Sequence, residues 1–162
     1  MNSTPAAARS VDENARLNAA LIDLFERRIA FNAVLGLKVL SLQPGDVRGR
    51  IEMRPDLIGS YAHGRLHGGV ISGVLDAMGG LALIVGVAER HPGDNTMQMM
   101  QRFARMGTVD LRVDYLRQGI GKHFTASTEI TRLGGRIGTV QMRLVNDEDT
   151  LIATGSAAYV VA

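Results

Sequence analysis

One long apolar segment, residues 66–88, dominates the hydrophobic pattern of this chain. It begins with Leu66-His67-Gly68-Gly69 and carries one charged residue, Asp76, in its first half. Most of the other segments alternate in polarity or are polar turns, so this segment predicts one core helix over about residues 68–89. A proline and a glycine within residues 90–94 are expected to end that helix.

The flanking segments predict two further helices and six strands. Leucines at helical spacing predict an N-terminal helix over 11–34, which Gly36 ends. Residues 54–65 have no clear period and predict a loop, whereas a methionine-rich stretch predicts a short helix over 96–106. Alternating apolar and polar residues predict strands over 37–42, 47–53, 108–116, 123–133, 136–145 and 151–161.

This order of elements predicts an α+β fold in which a curved antiparallel sheet wraps around one buried helix. We expect the last four strands to form a meander. In the strand over 108–116, Val109, Leu111, Val113 and Tyr115 are predicted to share one face. A disordered tail over 1–10 and a single domain over 11–162 complete the prediction.

Composition narrows the function classes. The chain has 162 residues, a net charge of +2, 4% aromatic residues and no cysteine. These values fit one globular domain, offer no case for nucleic-acid binding, and exclude disulfides and thiolate metal sites. No signal peptide is evident, and six glycines with Asp76 in the apolar segment argue against a membrane span. We therefore expect a cytoplasmic protein, and the histidine spacing predicts no metal or other cofactor.

The first candidate for chemistry is the glycine pair Gly68-Gly69 at the start of the core helix. Backbone N–H groups at a helix start have no partner within the helix, and the helix dipole adds positive potential there. That combination suits a carbonyl oxygen that gains negative charge. A tight turn or close packing would explain the two glycines equally well.

The second candidate is Asp76, because an ionised carboxylate is costly to bury without a partner. Its neighbours three and four positions away are Ser72, Gly73, Gly79 and Gly80, so a ligand or another helix can approach that face. The alternative is a structural aspartate that is hydrogen-bonded to the backbone or to Ser72.

The spacing between the two candidates restricts how they act together. Gly68 and Asp76 are eight residues apart, which is about 12 Å along a helix. Both groups therefore cannot act on one carbonyl within one helix. Two antiparallel helices related by a two-fold axis would bring them together, so a joint catalytic role requires at least a dimer.

His67-Gly68-Gly69, with an acid nine residues after the histidine, and the later strand TVDLRVDYLR over 108–117 resemble the PaaI-type hotdog-fold acyl-CoA thioesterases, most closely their YigI-like branch. The resemblance extends over about residues 15–161. It implies a hotdog fold, hydrolysis of acyl-CoA thioesters, and homodimers or dimers of dimers with active sites at the subunit interface.

The same resemblance implies roles for individual residues. The Gly68 N–H would polarise the thioester carbonyl, Asp76 from the partner subunit would act as general base or nucleophile, and Thr108 would hold the attacking water. His67 and the neighbouring Gly69 and Ser72 would contact or orient the substrate. Tyr61 lies nearest to the position where some relatives carry an assisting asparagine. Basic residues at strand ends are expected to cluster around the CoA phosphates: Arg117, Lys122, Arg132 and Arg136.

Three functions remain open from the sequence. The first is hydrolysis of medium- or long-chain acyl-CoA, which the long apolar helix and the methionine-rich segment favour over aromatic substrates. The second is an acyl-thioester hydratase or dehydratase of the same fold. The third is an acyl-CoA-binding module without catalysis.

Overall fold

The computed structural model describes residues 8–162. Its α-helices are α1 (Val11–Asp23), α2 (Ala30–Leu35), α3 (Gly68–Arg90) and α4 (Thr96–Phe103). Its strands are β1 (Lys38–Gln43), β2 (Asp46–Glu52), β3 (Ile58–Ser60), β4 (Arg65–Leu66), β5 (Gly107–Tyr115), β6 (His123–Leu133), β7 (Ile137–Asn146) and β8 (Leu151–Val160).

The N-terminal helical region is interrupted, so the prediction of one helix over 11–34 is wrong. After α1, Leu24–Arg28 form a π-helical turn, and Ile29 leaves the helical conformation with ψ of 102°. Gly36 ends α2 in the left-handed region with φ of 71°, as a helix-terminating glycine does. The interruption lets α2 turn its own face towards α3.

Residues 9 and 10 are held in place by hydrogen bonds, so the predicted disordered tail does not include these two residues. The Arg9 guanidinium donates to the carbonyl oxygens of Ala88, His91 and Asp94 at the end of α3. Ser10 caps α1 by accepting a hydrogen bond from the Glu13 N–H. Residues 1–7 lie outside the described part of the chain.

Six strands form one antiparallel sheet in the order β1-β2-β6-β7-β8-β5. The predicted hairpin of β1 and β2 and the meander β6-β7-β8 are present. The prediction that β5 continues this meander is wrong, because β5 pairs with β8 at the far edge. Over the predicted loop 54–65, a 3₁₀ turn precedes a small ribbon of β3 and β4.

A β-bulge at Val109 changes which side chains of β5 face the sheet interior. Thr108 pairs with Tyr159 and Asp110 pairs with Ala158, so Val109 has no partner on β8. Val109 is 60% exposed, whereas Leu111 and Val113 pack on the core. The predicted common face of Val109 with Leu111 and Val113 is therefore wrong, and the bulge places Thr108 on the core side instead.

The concave face of the sheet wraps around α3, as predicted. α3 is long and apolar enough to cross a membrane, but 61% of its most apolar 18-residue window is buried inside the protein. This burial identifies α3 as a core helix, which is consistent with a soluble protein. The sheet approaches α3 most closely at Gly79, where an added Cβ would collide with the Tyr159 hydroxyl of β8.

The two adjacent glycines Gly79 and Gly80 provide a test of this packing. Gly79→Ala should lower the free energy of unfolding by about 1–3 kcal/mol, because the methyl group displaces the Tyr159 ring. Gly80→Ala is the matched control, because its Cβ would lie 3.9 Å from the nearest atom of Tyr159. It should leave stability unchanged or raise it by up to about 1 kcal/mol through helix propensity. Urea denaturation of both variants measures the difference, and equal effects would contradict the packing described.

Candidate active site

The Asp76 carboxylate is fixed by two hydroxyl groups from neighbouring strands. The Thr108 hydroxyl donates to Asp76 Oδ1 at 2.8 Å. The Tyr159 hydroxyl lies 3.1 Å from the same oxygen and 2.9 Å from the backbone carbonyl oxygen of Asp76. The single Tyr159 O–H is shared between that carbonyl oxygen and Oδ1, so Oδ1 accepts from Thr108 and in part from Tyr159, while Oδ2 has no hydrogen bond to the described residues. The alternative of an aspartate bonded to Ser72 is wrong.

Strand register explains why both hydroxyls reach one carboxylate oxygen. Thr108 and Tyr159 are directly paired across β5 and β8, so their side chains point to the same face of the sheet. The bulge at Val109 gives Thr108 this orientation. Tyr159 is 3% exposed, and burial, together with the nearby Asp76 charge, raises the pKa of its hydroxyl far above the usual value. Tyr159 thus remains a hydrogen-bond donor throughout the physiological pH range.

Asp76 forms part of the wall of a cavity of about 180 Å³ between α3, the N-terminal helical region and β5. Most of the remaining wall is apolar or small, and no lysine, arginine or histidine contributes to it. Phe25 and Phe103 close one side as an edge-to-face pair with ring centroids 5.2 Å apart. The lining residues are Phe25, Ile29, Asn32, Gly73, Asp76, Ala77, Gly80, Phe103, Met106, Gly107, Thr108 and Tyr159.

The start of α3 presents one backbone donor that is not used. His67 caps the helix by accepting the Gly69 N–H at Nδ1, at 2.8 Å. The N–H groups of Val70 and Ile71 donate to the His67 carbonyl oxygen. Within residues 8–162, no acceptor bonds the Gly68 N–H. The cap therefore singles out Gly68 as the available donor.

The structure does not bring Gly68 and Asp76 together within one chain. Strand β5 contacts both, but at opposite ends: Thr108 bonds Asp76, while the Tyr115 hydroxyl donates to the Gly68 carbonyl oxygen at 3.1 Å. The two groups are fixed about 12 Å apart along one rigid helix. The Gly68 N–H and the Asp76 carboxylate of one chain therefore cannot contact the same atom.

Other residues expected at the site lie elsewhere. The Ser72 hydroxyl donates to the Gly69 carbonyl oxygen at 3.1 Å and does not line the Asp76 cavity. The Gly69 N–H is already bonded to His67, so it cannot also bind a substrate oxygen without losing the cap. Tyr61 is 99% exposed at a turn and does not line the cavity either.

The four basic residues do not form one cluster, which corrects that prediction. Arg117 and Lys122 border one surface depression together with Asp147. Arg132 and Arg136 lie at the other end of β6, beyond eleven residues of extended strand, which span roughly 33 Å. Only the first pair lies at the same end of the sheet as the start of α3, where Leu66 N–H donates to the Gly119 carbonyl oxygen.

Sequence reasoning missed Tyr159 and Asn32 as residues of the site. Tyr159 appears in the sequence as one more apolar position of an alternating strand, and its role depends on a partner 83 residues away. One indirect signal was present in β8. The small residues Ala153, Gly155 and Ala157 occupy every second position before Tyr159, and these positions form the buried face of the strand. Asn32 gave no signal, because an asparagine near the end of a predicted helix is usually exposed.

Comparison with known proteins identifies the family of this chain. The sequence profile of the Thioesterase superfamily matches residues 63–153, which include the start of α3, Asp76 and Thr108. The chain belongs to the thioesterase superfamily. The match covers more than half of the chain, and the expected relationship to PaaI-type hotdog thioesterases and the α+β hotdog architecture are confirmed.

Individual relatives of this thioesterase-superfamily chain agree with that assignment. The medium/long-chain acyl-CoA thioesterase YigI of Escherichia coli is 35% identical over 139 residues, covering 86% of this chain and 90% of that protein. A crystal structure of a Shewanella oneidensis protein related to the thioesterase superfamily gives a TM-score of 0.88 at 34% identity, covering 95% and 100% of the two chains. The Escherichia coli PaaI protein, at 17% identity and a TM-score of 0.70 over 94% and 96%, shares the fold.

The Tyr159 hydroxyl generates a prediction about activity. Tyr159→Phe keeps the ring and removes one donor to the charged carboxylate, which then loses part of its fixed orientation. The kcat for thioester hydrolysis should fall about tenfold. Tyr115→Phe is the matched control, since it loses a hydroxyl that bonds a carbonyl of the same helix but no carboxylate. An unchanged kcat in Tyr159→Phe would contradict the assignment.

Proposed function

We propose that the protein hydrolyses medium- to long-chain acyl-CoA thioesters to free acid and CoA. The observation that carries the proposal is the Asp76 carboxylate, held through Oδ1 by two hydroxyls on the wall of an apolar cavity. The name of the Escherichia coli relative supports the same substrate class. The proposed reaction uses no metal and no redox cofactor, and we place it in the cytoplasm.

The free oxygen of Asp76 supplies the chemistry. As a general base, Oδ2 takes a proton from water while the water oxygen bonds to the thioester carbonyl carbon. The tetrahedral intermediate then collapses, the C–S bond breaks, and the proton passes to the CoA sulfur. As a nucleophile, Oδ2 would itself bond to the carbonyl carbon, and the C–S bond would break to release CoA as a thiolate. Water would then hydrolyse the resulting anhydride, which regenerates the Asp76 carboxylate, frees the acid and supplies the proton that the thiolate takes. Thr108 and Tyr159 hold the carboxylate in the same orientation for either route.

The thioester carbonyl oxygen also needs a hydrogen-bond donor that stabilises its developing negative charge. We propose that Gly68 of a second subunit supplies it, because its N–H is unused at a helix start and His67 occupies the next donor. The edge of β5 supports such a dimer: within the described residues no strand pairs with its outer side, and Val109 and Tyr115 are exposed along it. A dimer of dimers is compatible with this arrangement.

The cavity suits the acyl chain of the substrate, and basic side chains suit its CoA phosphates. An apolar cavity of about 150 Å³ holds one benzene molecule, so about 180 Å³ accommodates roughly the first six carbons of a longer acyl chain. We propose that Arg117 and Lys122 bind CoA phosphates, because they lie at the Gly68 end of the sheet. Arg132 and Arg136 are the weaker candidates, because they lie near the opposite end of α3.

The central experiment measures free-thiol release from acyl-CoAs of increasing chain length. Wild-type protein should be active, and Asp76→Ala should lose activity by about a thousandfold or more, because it removes the base or nucleophile. Asp76→Asn, which keeps the size of the side chain, separates loss of charge from loss of packing. Absence of thiol release with any substrate would refute hydrolysis. Formation of an enoyl product without thiol would indicate the hydratase or dehydratase reaction instead.

A mixing experiment tests the shared active site. Gly68→Pro removes the N–H donor at the first helical position, where proline is tolerated, and His67 already has the extended conformation that precedes proline. Gly68→Ala is the control, since it keeps the N–H and its Cβ meets Tyr115 only at 3.4 Å. Refolding inactive Gly68→Pro together with inactive Asp76→Ala should restore about a quarter of wild-type activity through mixed dimers. No recovery would contradict a site that is shared between subunits.

The aromatic pair is expected to limit chain length. Phe103→Ala opens the cavity beyond Phe25, so the acyl-CoA with the highest kcat/KM should become longer by several carbons. The measurement is kcat/KM over a homologous series of acyl-CoAs. Met97→Ala is a suitable control, because Met97 is an exposed residue of the same helix that does not line the cavity. An unchanged optimum in Phe103→Ala would place the acyl chain elsewhere.

A further inference from the structure

The outward-facing side chains of β5 carry charges of alternating sign. Asp110, Arg112 and Asp114 are exposed and point away from α3, because Leu111 and Val113 between them pack on the core. Arg112 forms an ion pair with Asp114 at 3.0 Å. Among residues 8–162, no cation pairs with Asp110. Because the outer edge of β5 has no strand partner within these residues, this charge pattern restricts how a second strand can pair there.

A second copy of the chain can extend the sheet at β5 in only a few registers. The proposed dimer needs both copies of α3 on the same face of the joined sheet, so that Gly68 of one copy meets Asp76 of the other. An antiparallel pair of β5 strands with a two-fold axis perpendicular to the sheet meets this requirement. Directly opposite residues then share a face, so one residue of β5 lies opposite its own copy at the axis.

Like charges exclude two of the possible central residues. With Arg112 at the axis, two guanidinium groups face each other, and Asp110 faces Asp114 of the second copy. With Asp110 at the axis, two carboxylates face each other. Like charges directly opposite on paired strands are destabilising. With Leu111 at the axis, by contrast, Asp110 of each copy faces Arg112 of the other, which gives two ion pairs.

Val113 at the axis would also bring opposite charges together, through Arg112 and Asp114. The position of α3 decides between Val113 and Leu111. The axis passes midway between Gly68 and Asp76, because each of the two groups meets the copy of the other across it. Midway along the eight-residue separation is about 6 Å from Asp76.

The same distance can be followed along β5 from Thr108, whose hydroxyl bonds Asp76. A distance of about 6 Å is roughly two residues of extended strand. Because Val109 is bulged out of the pairing, two steps from Thr108 reach Leu111, whereas Val113 lies two steps further. The helix geometry and the charge pattern therefore select the same central residue.

We propose that β5 pairs with β5 of a second copy with Leu111 at the two-fold axis, and that two Asp110–Arg112 ion pairs fix this register. Both charged residues are then positioning residues, which place Gly68 of one subunit beside Asp76 of the other. Moving the axis by one residue would shift the second copy by two residues, roughly 7 Å, and would separate these two groups. The inference rests on the proposed function, which supplies the shared site, but its test measures contacts and not hydrolysis.

Disulfide cross-linking measures the register directly, because the chain contains no cysteine. Asp110→Cys and Arg112→Cys are coexpressed with tags of different size, oxidised and separated on a non-reducing gel. A cross-link between the two variants should form, since directly opposite Cα atoms lie about 4.5–5.5 Å apart, within the span of a disulfide. Each variant alone should remain without a cross-link, because its own copy is a diagonal neighbour at about 7–8 Å.

Other cross-links would overturn the inference. Self-cross-linking of Arg112→Cys would place Arg112 at the axis, and a cross-link between Arg112→Cys and Asp114→Cys would place Val113 there. Absence of a cross-link in all of these combinations would exclude the edge of β5 as the interface. The expected cross-link in a protein that releases no thiol from acyl-CoA would support the register and refute hydrolysis.

Neutralising variants test whether the ion pairs stabilise this dimer. Asp110→Asn should raise the Kd of the dimer, measured by sedimentation, about fivefold, because it removes both ion pairs. Asp114→Asn is the matched control, since it neutralises another acid of β5 that faces the uncharged Gly107 of the second copy in this register. Its Kd should equal that of wild type. Equal Kd values for the two variants would overturn the inference.

A charge exchange provides the rescue. Arg112→Asp places acids opposite each other at both pairs and should weaken the dimer by about tenfold or more. The double variant Asp110→Arg, Arg112→Asp restores opposite charges at both pairs and should return the Kd to within about threefold of wild type. A double variant no tighter than Arg112→Asp would overturn the assignment of these two residues.

Discussion

The fold requires α3 to be buried although this helix carries the charged carboxylate of Asp76. Asp76 is the one charged residue between Gly68 and Ala88, and leaving its carboxylate without partners would destabilise the fold. The sheet meets this requirement with two neutral hydroxyls rather than with a cation. Neutral donors stabilise the carboxylate without cancelling its charge, and both bind Oδ1. Within residues 8–162 the other oxygen has no hydrogen bond, so the interaction that stabilises the charged helix in the core also leaves one oxygen open for the proposed chemistry.

The glycines of α3 determine how closely other elements approach this carboxylate. Gly79 makes room for the Tyr159 hydroxyl, and Gly73 makes room for Phe31 and Leu35 of α2. The glycine-rich face around Asp76 is therefore largely covered by the same chain, and it opens into the cavity next to Gly80. Large side chains from the π-helical turn, α4 and β8 thus shape a small cavity against a helix surface that has few large side chains of its own.

The rigid helix α3 also keeps the Gly68 N–H and the Asp76 carboxylate of one chain apart. His67 caps α3 and leaves the Gly68 N–H as its unused donor, while Asp76 lies two turns further along. Strand β5 bonds to α3 at both places: the Tyr115 hydroxyl donates to the Gly68 carbonyl oxygen, and the Thr108 hydroxyl donates to the Asp76 carboxylate. Because neither group can move towards the other without breaking the helix, catalysis by both groups couples activity to assembly. The unpaired outer edge of β5 is the surface on which such an assembly would form.

Local patterns in the sequence were sufficient for much of the fold. The apolar segment predicted the core helix, alternation predicted β6, β7 and β8, and the eight-residue spacing predicted that Gly68 and Asp76 of one chain would not meet. These features depend on helical rise and strand period, which neighbouring residues determine. The motif around His67 and Asp76 added the family, which sequence comparison confirms.

Only the tertiary structure decided the features that depend on distant partners. The pairing of β5 with β8, the bulge at Val109 and the hydrogen bond from Tyr159 all join residues that are far apart in sequence. The bulge in particular reverses the face of Thr108 that strict alternation would assign, because one unpaired residue shifts the strand period by one. The unpaired amide of Asn32 likewise follows from the break at Ile29 and the packing of α2 on α3. Strand register and burial are properties of the assembled core, so no local period in the sequence can specify them.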